Sequence, residues 1–246
     1  MATTVGPLTL YTAKTCPYAH RTEIALDEAK AEYTRYEIDL SNKPEWYAPK
    51  VNPASKVPAI ALGGPEVPPD QPSPESTKLN ESLVLVELIG DLYPNSNIIP
   101  SDPIKRAKAR LFIDAISTKF SSVQYKVINL GEGDPELLVQ GLEALQAFLP
   151  PTGFVVGEWS IADIAIAPFF ARLELLLTND FGAWPEGSGK GLEIWKLLQQ
   201  PKLARLWEYA REVQARPSFV KTWDKDFVLA SYQKRFKALR AQKFGQ

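Results

Sequence analysis

The chain has 246 residues, 45% of them hydrophobic and 23% charged, with 28 lysines and arginines against 29 aspartates and glutamates. That length allows one large core or two modest ones, and the near-balanced charge argues against a general affinity for nucleic acid or anionic membrane. No apolar run approaches the ~18 residues of a membrane span, and the start, MATTVGPLTLY, lacks the basic and apolar regions of a secretory signal.

One cysteine, Cys16, cannot close an intramolecular disulfide, and with His20 as the one histidine there is no Cys/His cluster for a metal. A reducing compartment, in the simplest case the cytosol, is the expectation.

In chain order, residues 7–13 (PLTLYTA) predict a short buried strand. Thr15-Cys16-Pro17 then predicts a helix start, because proline at a first helical position lacks only an N–H that would be unpaired anyway. Ile24, Ala25, Leu26 and Ala29 continue at helical spacing. Residues 33–40 alternate Tyr36, Ile38 and Leu40 with charged residues, a second strand. SNKPEWYAPK suggests a loop with a short helix, and 57–62 a third strand with Pro58 at its start. The proline-rich stretch 63–76 reads as a long exposed hairpin loop before a brief strand at 77–79. Residues 81–93 predict a helix burying Leu83, Val86, Leu88, Ile89 and Leu92 and ended by Pro94.

The first ~93 residues thus read β-α-β-α-β-β-α. Residues 94–103, with proline at both ends, read as a linker, and everything after as helical. Asp134-Pro135 starts a helix reaching about Leu149. Ser160 caps another to about Thr178, with Asp163 at its positive end and Trp159 set to pack on Ile164. Further helices are expected near 192–215 and 226–243. The domains expected are 1–93 and 104–246, joined by the 94–103 linker.

Cys16 is the chemical question. Free cysteine is among the residues most often buried, but sulfur at a helix N-terminus meets unpaired N–H groups and the positive end of the macrodipole, which favour thiolate. Reactive cysteines sit at such termini. Ala19 stands where a Cys-x-x-Cys oxidoreductase has its second thiol, so any disulfide formed at Cys16 must be resolved by an external thiol. His20, four residues on, has spacing compatible with a Cys–His pair. The helix terminus already accounts for thiolate formation, so His20 reads as solvated surface, and Arg21 as a structural ion-pair partner beneath the helix.

CPYAHR (16–21), NKPEWY (42–47), NPASKVPAI (52–60), Glu81-Ser82 and SIADIAIAPFFARLE (160–174) occur in an order, and over about two thirds of the chain, that resembles the omega-class glutathione transferases. The resemblance implies an α/β thioredoxin-like N-terminal domain plus an all-α C-terminal domain, the glutathione transferase fold. It implies Cys16 as the catalytic nucleophile. The glutathione-binding residues it implies are Tyr18, Lys43, Val57, a cis Pro58, Glu81 and Ser82. Val57 would pair with the tripeptide's backbone as an added strand does. Ser82 and the neighbouring N–H groups would hold the γ-glutamyl carboxylate, Glu81 the ammonium, and Lys43 the glycyl end. Tyr18, Phe169, Arg172 and Trp223 would border an acceptor pocket between Cys16 and the helical domain. An aromatic-lined cleft suits hydrophobic, aromatic or phenolic ligands.

No permanently bound cofactor is implied, glutathione being the co-substrate, and a homodimer is implied by family analogy. The activity implied is a glutathione-dependent thiol transferase and reductase acting on mixed disulfides, glutathione conjugates and dehydroascorbate. Two other readings stand beside it. One is a ligandin that binds hydrophobic or phenolic molecules without turnover. The other is a glutathionyl-hydroquinone reductase, an enzyme type that usually carries Trp where Tyr18 stands. Soluble relatives of intracellular chloride channels also carry a cysteine–proline start, but NKPEWY and SIADIAIAPFF fit the omega pattern better.

Overall fold

The computed structural model describes residues 6–245. Its chain divides into a first unit that ends at Ile99 and takes in Lys221–Trp223, and a second that runs over Pro100–Val220 and resumes at Asp224.

Alternating β-branched and apolar residues make β1 (Leu8–Thr12) an interior strand of the first unit. It pairs in parallel with β2 (Thr34–Glu37) and antiparallel with β3 (Ala59–Leu62), and β4 (Thr77–Asn80) completes the sheet in the order β2-β1-β3-β4. Between them lie α1 (Pro17–Glu28) and the short α2 (Tyr47–Lys50), and α3 (Ser82–Leu92) follows β4, so the β-α-β-α-β-β-α order is as expected. Tyr11, Ile38, Tyr47, Val51, Ala59 and Ala61 form one buried cluster, with Tyr36, Trp46 and Val57 packed against it. A polar network, buried at Thr12 and Glu23 and reaching the surface at Arg35 and Glu37, fixes α1 to this sheet. Thr12 Oγ1 donates to Glu23 Oε1 at 2.7 Å, and the Arg35 guanidinium meets Glu23 at 2.9 Å and Glu37 at 2.7 Å.

Three expectations are corrected in this unit. Leu40 is exposed, because β2 ends at Glu37 and the alternation has no strand left to follow. The buried face of α3 is Ser82, Leu85, Val86, Ile89 and Gly90, while Leu83, Leu88 and Leu92 are half-buried. Gly90 sets that face: a Cβ on it would stand 2.5 Å from Ile99 Cγ1 and 3.2 Å from Ile98 Cγ1. The 63–76 loop is not exposed throughout, because three residues of its second half turn inward. Pro72, Ser73 and Ser76 are buried. Tyr11 donates to Pro69 O at 2.8 Å, and Lys78 Nζ donates to Ser73 O at 2.5 Å and Ser76 O at 2.9 Å. Burial and the charge of Asp70 are among the causes that push the Tyr11 phenol up to about 12.

The second unit is helical. α4 (Pro103–Ala115) is capped by Asp102 and runs into wide, π-type turns at Ile116–Ser121 and Tyr125–Leu130 around a single turn, α5 (Ser122–Gln124). There follow α6 (Glu136–Gln146), α7 (Ile161–Thr178), α8 (Lys190–Leu198), α9 (Ala204–Gln214), α10 (Pro217–Thr222) and α11 (Lys225–Phe244), the last two residues of α10 belonging to the first unit. The helix expected at 192–215 is two, because Pro201 opens a 3-10 turn between α8 and α9. Ser160 and Asp163 form the expected capping box on α7. Asp163 also accepts from Val155 N at 3.2 Å and Tyr209 OH at 2.8 Å. The Trp159 ring packs edge-on to Phe154 at 5.3 Å, with Arg216 over it at 5.0 Å. Among the described residues no helix is long and apolar enough to cross a membrane.

Candidate functional site

Cys16 is the N-cap of α1, with extended backbone (φ −87°, ψ 118°) ahead of Pro17. Its Sγ accepts the Ala19 N–H at 3.5 Å and, as a thiol, donates toward Val57 O at 3.8 Å. The sulfur therefore faces a donor that stabilises its anion and an acceptor that holds its proton. The helix start and Val57 meet although 41 residues separate Cys16 from Val57.

The loop that delivers Val57 is built by the motif around it. Tyr47 OH and Asn52 Nδ2 both donate to Lys56 O, at 2.7 and 2.9 Å, and Asn52 Oδ1 accepts from Ala54 N at 3.1 Å. The Val57–Pro58 peptide bond is cis, as the omega-class resemblance implies. Lys43 Nζ donates to Ser55 O at 2.5 Å and so ties the NKPEWY loop to the same turn. Trp46 and Tyr47 lean on Tyr11, with ring centroids 6.1 and 5.8 Å away, which anchors the loop to β1.

At the head of α3, Glu81 holds φ at 70°, a conformation rare for a side chain with a Cβ, and its carboxylate does not cap the helix. Neither Asn80 nor Ser82 occupies the cap position. The first-turn N–H groups of α3 thus lack a capping side chain. Ser82 is buried at 7% exposure, and Arg21 Nη1 donates to its hydroxyl at 3.3 Å.

Arg21 is more than a prop. Its guanidinium is 2% exposed and lies 5.2 Å from the centre of the Tyr18 ring. Burial lowers it from 12.5 to about 10, against the pull of Tyr18 and Cys16, which raise it. It remains a cation at neutral pH, and its field reaches the cysteine. Tyr18 itself is exposed.

His20 overturns its expectation. It is 2% exposed, hydrogen-bonded through Nε2 to Thr222 Oγ1 at 2.9 Å and stacked on Trp223, with centroids 5.8 Å apart and planes 14° apart. Lys221 pairs with Asp27 on the same helix. The site thus brings together Cys16, Val57, Tyr18, Arg21 and Ser82, and places Trp223 on α1. Phe169 and Arg172 lie in the helical unit, buried at 5% and 2%, with Arg172 Nη1 donating to Pro168 O at 3.1 Å. Phe170, beside Phe169, is wholly buried against Trp207 and Tyr209. Sequence reasoning missed the role of His20 and the Ser82 partner of Arg21, contacts that span 202 and 61 residues. Among the described residues no group of three or more His, Cys, Asp or Glu is placed to hold a metal.

Comparison with known proteins places these features. A family model described as the glutathione S-transferase N-terminal domain matches residues 15–92. Glutathione transferase Omega 1C from Trametes versicolor is 56% identical, with a TM-score of 0.90 over 95% of this chain and 98% of that one. Omega 2S from the same organism, crystallised with 2,4-dihydroxybenzophenone, is 44% identical, with a TM-score of 0.88 over 94% and 100%. Pyrimidodiazepine synthase of Drosophila melanogaster is 34% identical over 70% of this chain and 67% of its own.

Proposed function

The chain belongs to the omega class of the glutathione transferases and is a glutathione-dependent transferase, and from that premise we propose that it removes glutathionyl groups through a mixed disulfide on Cys16. The observation that carries the reading is Cys16 at the N-cap of α1, its sulfur accepting the Ala19 N–H and facing Val57 O.

The cycle balances with glutathione alone. The Cys16 thiolate attacks the glutathionyl sulfur of R–S–S–G. The new S–S bond joins Cys16 to glutathione, and RS⁻ leaves and takes a proton. The thiolate of a second glutathione then attacks that mixed disulfide, releasing oxidised glutathione and restoring the Cys16 thiolate. With an α-thioketone conjugate the same attack breaks the C–S bond, and the carbon leaves as an enolate that is protonated. Ala19 at the fourth position keeps the cycle monothiol, and no other cysteine exists to intercept the intermediate. Conjugating classes hold glutathione's thiolate with a hydroxyl, whereas a cysteine tends to trap it as a disulfide. Dehydroascorbate reduction, which also yields oxidised glutathione from two thiols, falls within the same chemistry.

Glutathione would lie as an extended segment along Val57, whose carbonyl is vacated when Cys16 loses its proton. The γ-glutamyl carboxylate would take the uncapped N–H groups of α3 and the Ser82 hydroxyl, and Glu81 the ammonium. Lys43 would meet the glycyl carboxylate by exchanging its bond to Ser55 O. Tyr18 and Trp223 would border the acceptor, with Phe169 and Arg172 secondary because both are buried within the helical unit. The dihydroxybenzophenone complex of the Trametes relative supports an aromatic or phenolic ligand. It also supports a second reading, a ligandin that binds such molecules without turning them over. A reducing compartment such as the cytosol, and a homodimer, accompany the family reading.

The test is to react the protein with oxidised glutathione and map the adduct by mass spectrometry. One glutathionyl group on Cys16, removed by added glutathione, is the expected result. A protein that binds dihydroxybenzophenone but forms no adduct is a ligandin.

A further inference from the structure

Cys16, His20 and Asp27 lie on one stripe of α1, since steps of four and seven residues return to nearly the same side of a helix. Three consecutive residues from far along the chain fasten to that stripe. Lys221 pairs with Asp27, Thr222 bonds His20 Nε2 at 2.9 Å, and Trp223 stacks on the imidazole at 5.8 Å. His20 N in turn donates to Cys16 O at 3.1 Å, the first turn of the helix that carries the nucleophile. His20 is 2% exposed while Trp223 beyond it is half-buried, so the stack holds a partly accessible Trp223 against the residue that lies one helical turn from Cys16.

We infer that His20 is a positioning residue for aromatic acceptors: it holds Trp223 beside the Cys16 turn and so sets the enzyme's preference for flat substrates. This rests on the reading that Trp223 borders the acceptor. The two contacts do different work. The stack fixes the plane of the indole, and the bond to Thr222 fixes the backbone that carries it. A flat acceptor arriving at Cys16 meets an indole whose orientation is already set, and ordering it on binding costs nothing further.

Steady-state kinetics with S-phenacylglutathione as the aromatic acceptor test this in four variants: Trp223→Ala, His20→Ala, the two combined, and His20→Phe, which keeps a flat ring over Trp223. Trp223→Ala is expected to raise the acceptor KM by about tenfold, the size of one lost aromatic contact. His20→Ala should raise it several-fold, with a smaller change in kcat and none in the KM for glutathione. In the Trp223→Ala background the His20 change should add nothing, and His20→Phe should recover most of the affinity. If Trp223→Ala leaves the acceptor KM unchanged, the acceptor reading itself fails and the inference falls with it. If Trp223→Ala acts but His20→Ala has no effect on KM, or the same effect in both backgrounds, His20 is merely structural and the inference alone is overturned. His20→Phe no better than His20→Ala also contradicts it.

Discussion

The Arg21 guanidinium donates to the Ser82 hydroxyl at 3.3 Å, joining the helix that carries the nucleophile to the helix proposed to hold the γ-glutamyl carboxylate. Both side chains are buried, so the hydroxyl is oriented by a cation that water does not screen. Ser82→Ala removes one donor to the ligand carboxylate. A hydrogen bond to a charged group contributes about 1.5–3 kcal/mol, so the KM for glutathione should rise roughly tenfold or more. Arg21→Lys keeps the charge but loses the planar fork and should raise the same constant by a smaller factor. Initial rates against glutathione concentration check both, and an unchanged KM in Ser82→Ala would remove Ser82 from the site.

Asp163 gives a pH dependence with a definite sign. Burial raises its carboxyl to about 6 despite the bonds from Tyr209, Val155 and Ser160. The folded state therefore binds a proton more readily than the unfolded chain. The stabilisation from this group is fully present below its ordinary 3.8 and is lost as pH rises through about 6. Relative to Asp163→Asn, the wild type should lose on the order of 3 kcal/mol between pH 4 and pH 8. Urea unfolding of the pair at both pH values checks this. A wild-type advantage that grows with pH would mean the four donors outweigh burial.

Helix α6 approaches the wide turns after α4 so closely that a Cβ on Gly141 would lie 2.5 Å from Lys119 O. That neighbour is backbone and cannot swing aside. Alanine has about 1 kcal/mol more helix propensity than glycine, but overpacking costs about 1–3 kcal/mol, and here the clash wins. Gly141→Ala should lower the melting temperature by several degrees, measured by circular dichroism.

Much of this site was legible because its chemistry is local. Cys16-Pro17 at a strand–helix junction and the Ser160/Asp163 box each depend on neighbours within a few residues, whereas the cis Pro58 was implied by the resemblance and not by its neighbours. His20 was misread, and the Ser82 partner of Arg21 was not foreseen, because Thr222, Trp223 and Ser82 are brought in by the fold. An isolated histidine on a charged helix gives no sign of a stacked indole from 203 residues later. The buried face of α3 was misjudged for a related reason. Apolar count favoured Leu83, Leu88 and Leu92, but Gly90, which carries no hydrophobic signal, admits Ile98 and Ile99 and turns the helix toward Leu85 and Ile89. The wide turns at 116–121 and 125–130 have ordinary helical composition, so nothing in their residues distinguished them from α-helix.

The central claim is that one sulfur carries the reaction, and Cys16→Ser tests it most directly. Serine keeps the N-cap, so the fold and glutathione affinity should persist while the nucleophile is lost. Glutathione-dependent reduction of hydroxyethyl disulfide should fall by at least a hundredfold in the variant, with glutathione binding by calorimetry changed less than a few-fold (roughly 1 kcal/mol). Full activity in Cys16→Ser would contradict the account.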